Sequence, residues 1–172
     1  SVRRDASTPM LFTQIRQPKS KYLAVPRVSS ERRKYIPMGF LEPEIIAGDK
    51  LQLIENIDLY HFGCLTSNVH NAWSRAVAGR LKSDYSYSPA VYNNFPWPTP
   101  TDAQKARIEQ TAQAILDARA LYPDASLADL YDETTMPPEL RKAHQMNDKA
   151  VMQAYGFSVK DMTESKCVAE LM

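Results

Sequence analysis

The segment Asn93-Asn94-Phe95-Pro96-Trp97-Pro98-Thr99-Pro100 places three prolines in eight positions. Each proline lacks an amide hydrogen, fixes its own φ and biases the preceding residue toward extended backbone. Neither a helix nor a central strand can therefore run through the segment. The chain is divided near residue 100 by an extended connector, and Phe95 and Trp97 are the side chains expected to pin it to the surface. With 172 residues there is room for one ordinary domain, or for a small domain with a helical appendage. A hydrophobic fraction of 44% beside 24% charged residues suits a packed core and argues against wholesale disorder. No apolar run approaches the ~20 residues that a membrane-spanning helix needs. Ser1-Val2-Arg3-Arg4-Asp5 leads into no apolar stretch, so no secretory signal is expected, and the lack of a starting Met predicts an excised fragment. Cys64 and Cys167 fit no disulfide framework and favour a reducing cytosol.

The two parts differ in texture. Before the connector, Tyr22-Leu23-Ala24-Val25, Tyr35 to Leu41 and Leu51-Gln52-Leu53-Ile54 read as short strands, with Pro26, Pro37 and Gly48-Asp49 as punctuation. Leu59, Phe62, Leu65, Val69, Trp73, Ala76 and Val77 recur at helical spacing. They predict a helix over 58–78 ended by Gly79, with Thr66-Ser67-Asn68 as a break or a second N-cap. Lys82 to Ser88 alternates polar and aromatic residues as an exposed strand or loop.

After the connector the pattern is helical. Thr101-Asp102-Ala103-Gln104 is a capping box for a helix to about Leu121. Ser126 caps a short turn, Pro137-Pro138 opens a helix that Gly156 ends, and a last helix begins near Thr163. The expected fold class is α+β: a small mixed sheet with packed helices over residues 1–100, then a small all-α domain over 101–172.

Charge follows the same division. Residues 1–100 carry 13 Lys/Arg against 8 Asp/Glu, whereas residues 101–172 carry 8 against 12. A basic front and an acidic back suggest that only the front meets a polyanion; a solvated surface of uneven charge is the plainer reading.

Catalytic patterns are missing. His61, Cys64 and His70 have no fourth ligand nearby for zinc, and read more simply as a packed helix. No Gly-x-Ser-x-Gly or glycine-rich phosphate loop occurs, and Asn93-Asn94-Phe95-Pro96 has its proline in the wrong place for an Asn-Pro-Pro-aromatic methyltransferase loop.

What remains is Gly79-Arg80-Leu81-Lys82-Ser83-Asp84-Tyr85-Ser86-Tyr87. In extended backbone Lys82 and Asp84 project from one side. A Lys donor suits guanine O6 and N7, and an Asp acceptor suits the N4 amino group of the paired cytosine. The alternative is a surface ion pair. Arg80, Tyr85 and Tyr87 are candidates to hold phosphates, as are Arg32 and Arg33 in the basic stretch Ser29-Ser30-Glu31-Arg32-Arg33-Lys34. Asp49 and Lys50 stand on a turn tip.

Several ordered motifs together carry a resemblance. They are Val25-Pro26, Ser29-Ser30-Glu31-Arg32-Arg33, Tyr35-Ile36-Pro37, Leu59-Tyr60-His61-Phe62-Gly63, His70-Asn71-Ala72-Trp73, Gly79 to Tyr85, Tyr92 to Pro98, Ser126 to Asp132 and Met136 to Leu140. From about residue 8 onward the chain resembles the C-terminal third of MmeI-type DNA adenine methyltransferases, which are restriction–modification enzymes and their methyltransferase-only relatives. The resemblance implies that 1–100 is the later part of a DNA target recognition domain and 101–172 most of a helical C-terminal domain. It also implies that the S-adenosylmethionine site and the adenine-N6 chemistry belong to a core outside this segment, so this fragment is not itself catalytic and takes no cofactor. Double-stranded DNA and that core are the implied partners, in the cytoplasm and away from membranes. The positions of Lys82 and Asp84 resemble the family pair that sets the base beside the modified adenine; Glu and Arg there go with cytosine, Lys and Asp with guanine. Asp49 and Lys50 fall near a second specificity position. The competing reading is a protein-interaction module, in which the acidic helices dock on or brace another domain.

Overall fold

The computed structural model describes residues 16–172. The basic cluster Arg3-Arg4 lies outside the described residues. Six strands and seven helices follow one another among those that are described.

Strand β1 (Tyr22–Pro26) is the centre of the first sheet. It pairs antiparallel with β3 (Gly39–Leu41) on one side and β4 (Leu51–Ile54) on the other. Tyr22, Leu23, Ala24 and Val25 are all buried, which explains why this strand is a continuous apolar run without alternation. Pro26 ends β1, and its missing amide leaves the chain free to turn away.

Arg27 is the corner between two sheets. Its amide donates to the Lys50 carbonyl at 2.9 Å, and its own carbonyl accepts the Tyr87 amide at 2.8 Å. Beyond it, β2 (Val28–Ser29) enters a second antiparallel sheet of order β2-β6-β5, with β5 at Gly79–Leu81 and β6 at Asp84–Ser86. The α+β class holds, but two small antiparallel sheets stand where one mixed sheet was expected, because the chain switches sheets at Pro26-Arg27.

Helix α1 (Leu59–Leu65) is capped by Asp58 and α2 (Asn68–Val77) by Ser67, each side chain accepting the amide three residues on. The apolar stripe over 58–78 is thus two helices, broken where Thr66-Ser67-Asn68 suggested a break. Only Gly39–Leu41 of the run from Tyr35 is a strand; Pro37 interrupts the rest. Gly79 opens β5 rather than merely stopping a helix. Helix α3 (Pro89–Asn93), which the sequence reading left out, starts with proline at its first position.

The connector buries Phe95 and half-buries Trp97, their rings 5.1 Å apart. Then come α4 (Asp102–Ala120), with the Thr101/Gln104 capping box complete, α5 (Leu127–Leu130), α6 (Pro138–Ala154) and α7 (Glu164–Leu171). Gly156 has φ +75°, the left-handed conformation expected after a helix end.

The two parts share one core. Leu23, Val25 and Phe62 from the front pack in the same cluster as Ile108, Ile115 and Leu140 from the back. At the closest approach, a Cβ on Gly63 of α1 would stand 2.6 Å from Ile108 Cγ2 and 3.2 Å from Ala112 Cβ on α4. Only glycine lets these helices cross so near. Asn147 of α6 donates to the Gly63 carbonyl at 2.7 Å and accepts from Thr111 at 3.0 Å. Tyr35 stacks on His144, ring centres 4.1 Å apart, and donates its hydroxyl to Asp148 at 2.7 Å. The helical part therefore forms one wall of the front part's core.

Candidate nucleic-acid interface

The second sheet presents the candidate residues. Gly79, Arg80 and Leu81 of β5 face Ser86, Tyr85 and Asp84 of β6, so Lys82-Ser83 is a two-residue hairpin loop. Lys82 has φ +57°. Such loops favour positive φ because it matches strand twist, and they normally recruit Gly, Asn or Asp for it. A lysine here is held against local preference by about 1–2 kcal/mol. Its side chain is exposed and enters no hydrogen bond or ion pair with other described residues. Since Lys82 belongs to the loop, strand alternation does not govern its direction, and the expected same-side projection with Asp84 does not follow from period two. Asp84 is half-buried and accepts the Glu31 amide at 3.4 Å, with no ion pair to Lys82.

Arg80 holds the hairpin tip. Its guanidinium donates to the Ser83 carbonyl at 2.8 Å and to the Tyr85 hydroxyl at 3.0 Å, stands 3.9 Å from the Tyr85 ring centre and pairs with Glu31 at 3.5 Å. By strand register Leu81, Asp84, Ser86 and Val28 share one face, and Arg80, Tyr85 and Ser29 the other. Leu81, beside Lys82, is 58% exposed.

The remaining candidates divide. Glu31 and Arg32 lie on a turn closed by the Arg33 amide to the Ser30 carbonyl, which brings Glu31 against Asp84 and Arg80 and leaves Arg32 exposed. Arg33 faces the helical part, with a long contact to the Ala128 carbonyl at 3.5 Å. Asp49 and Lys50 are exposed on their turn and tied through Arg27 to the Tyr87 end of β6, roughly 10 Å along the strand from the tip. Tyr87 corrects an expectation: it is 4% exposed with its hydroxyl 3.1 Å from His70 Nε2, so it cannot reach a phosphate. Burial holds the His70 imidazole neutral, its pKa down to about 3.

His61 binds Asp58 at 2.6 Å, and Cys64 and Cys167 are both buried free thiols. Burial pushes the Cys64 thiol up to about 12. No group of three metal-binding side chains occurs among the described residues. No helix there is long and apolar enough to cross a membrane.

Arg75 was missed by sequence reasoning. It lies in the last turn of α2, pairs with Glu164 of α7 at 3.0 Å, donates to the Arg33 carbonyl at 3.1 Å and stands 5.7 Å from the Tyr85 ring centre. Glu164 and Arg33 are distant in sequence and Tyr85 lies beyond the helix, so no local signal marks it. Glu31 was visible as the one acid in a basic stretch.

Residues 1–99 match a family described as MmeI, target recognition domain, and residues 100–172 match MmeI, C-terminal domain. DNA methyltransferase A of Bacillus subtilis (strain 168) is 41% identical over 151 residues, which is 87% of this chain and 17% of that protein. The solved structure of the Type IIL restriction-modification enzyme MmeI in complex with DNA is 49% identical, with a TM-score of 0.91 over 98% of this chain and 23% of the other. This chain thus spans less than a quarter of either relative's length.

Proposed function

Because this chain belongs to the MmeI family, matching its target recognition domain and then its C-terminal domain, we propose that it is the base-reading part of a DNA methyltransferase. The methyl transfer, to adenine N6 from S-adenosylmethionine, belongs on this reading to a core in the same polypeptide; this segment chooses the site. Double-stranded DNA is the partner, in the cytoplasm.

One observation carries the proposal. A lysine occupies a left-handed hairpin position that glycine or asparagine would fill at less cost, its ammonium has no partner among the described residues, and an aspartate follows two residues on. Backbone strain of this kind is retained where function requires the side chain. A hairpin of two strands fits the major groove, where guanine offers O6 and N7 as acceptors and cytosine its N4 amino donor. Lys82 donates to the guanine, and Asp84 accepts from the cytosine across the pair. Arg32 on its exposed turn supplies a phosphate contact, which positions without specifying. Asp49 and Lys50, exposed together on their own turn, form a second reading position. Arg80 and Tyr85 are engaged with each other, and their first task is to hold the tip.

The test is exchange of the pair. In the full-length enzyme, Lys82→Glu with Asp84→Arg moves the preference at one position from guanine to cytosine, each correct contact being worth about 1–3 kcal/mol. Methylation mapping reads the result, and an unchanged recognition site refutes it. Binding also weakens as salt rises, by counterion release.

A bracing role for residues 101–172 is favoured by a separate observation, the burial of Gly63 and Tyr35 against α4 and α6. On this reading the acidic helices support the recognition part of their own chain.

A further inference from the structure

We propose that Arg75 is a positioning residue for the reading hairpin, and that helix α7 influences base choice through it. This deepens the reading of Lys82 and Asp84 as base contacts and rests on it.

The Arg75 guanidinium ties three separate pieces of chain. One side donates to Glu164, in the first turn of α7, and the other to the Arg33 carbonyl of the 30–33 turn. That turn supplies the Glu31 amide that Asp84 accepts. The same guanidinium lies 5.7 Å from the ring of Tyr85, the residue next to Asp84 and the cross-strand partner of Arg80. A displacement of Arg75 therefore reaches Asp84 by two short routes: through the turn, and through Tyr85.

The surroundings are open. A cleft of about 230 Å³ between α2 and α7 is lined by Lys34, Asn71, Arg75, Thr163 and Glu164, and a second of about 560 Å³ lies between Arg75, Tyr85 and Ser165. Helix and sheet thus meet here through a polar strut flanked by open clefts. The ion pair stands partly in water, with side-chain exposures of 24% and 51%. Pairs so exposed add little to folding stability. The strut is suited to fixing an orientation, and its loss should leave the fold intact.

The experiment uses the full-length enzyme with two duplexes, guanine or cytosine at the position assigned to Lys82 and Asp84, and compares kcat/KM for the two. Arg75→Lys keeps the charge but has a compact ammonium in place of the two-armed fork. The guanine-over-cytosine ratio is expected to fall roughly three- to thirty-fold with the melting midpoint near the native value. Glu164→Gln shifts the ratio the same way by less, and it carries the test should Arg75→Lys fail to fold. The proposal is overturned if both variants leave the ratio at the native value while Lys82→Glu with Asp84→Arg inverts it. It is also overturned if Arg75→Gln, which removes the charge, weakens binding equally on both duplexes with a shallower salt dependence, which would mark a phosphate contact. If the exchange of Lys82 and Asp84 fails to move the ratio, the base reading falls first and this inference with it.

Discussion

Replacing Asp148 by asparagine should flatten the dependence of stability on pH. Asp148 sits on α6 at 6% exposure, where its carboxylate accepts the Tyr35 hydroxyl at 2.7 Å and the Asn68 amide at 2.8 Å. Burial raises its pKa, outweighing those two hydrogen bonds and the Lys34 charge, to about 6 from the ordinary 3.8. Between these values the folded chain keeps a proton that the unfolded chain has lost. The stability this group contributes is complete below about pH 4 and is lost as pH rises through about 6. About two pKa units at 1.36 kcal/mol each set the loss at about 3 kcal/mol. Asparagine has no charge to bury, its amide oxygen still accepts from Asn68, and its amide nitrogen can donate to the Tyr35 oxygen. Urea unfolding of both chains at pH 4, 5, 6 and 7 is the assay. The variant should gain on the native chain steadily across that range. A stability difference that stays constant with pH, or native stability that rises relative to the variant, refutes the reasoning.

Gly63→Ala normally favours a helix, yet its Cβ would meet Ile108 at 2.6 Å. The overpacking should cost about 1–3 kcal/mol, read as a lower thermal midpoint; a higher one would mean the helices do not cross so closely. Lys82→Gly should leave the fold at least as stable, since it relieves a left-handed lysine worth about 1–2 kcal/mol, while base preference in methylation mapping is lost; retained preference would remove Lys82 from the reader. Thr101→Ala breaks the capping box of α4 and should cost about 1 kcal/mol in denaturant unfolding, with no change in base preference. A preference that moved would mean α4 reaches the hairpin.

Much of the back half was legible because its signals are local. Thr101 and Gln104, Ser126, Pro138 and Gly156 each act within one helical turn, and each stands where capping chemistry puts it. The front half was read less well for the opposite reason. Its strands are two to five residues long, too short for periodicity to register, and one pairing, Val28 with Ser86, joins segments far apart in sequence. Tyr87 illustrates the failure: polar–aromatic alternation suggested exposure, but β6 ends at Ser86 and the chain turns inward onto His70. Lys82 and Asp84 were singled out by their chemistry, whereas the strand pairing that makes Lys82-Ser83 a two-residue loop was not legible. Arg75 was invisible because a basic residue ending a helix ordinarily needs no partner beyond the helix dipole.

The most direct measurement is the structure of the full-length enzyme on its cognate duplex. The account predicts the Lys82 ammonium within roughly 2.7–3.2 Å of guanine O6 or N7, and the Asp84 carboxylate accepting from N4 of the paired cytosine. Lys82 resting on a phosphate or in solvent, with Asp84 still held by the Glu31 amide alone, would contradict it.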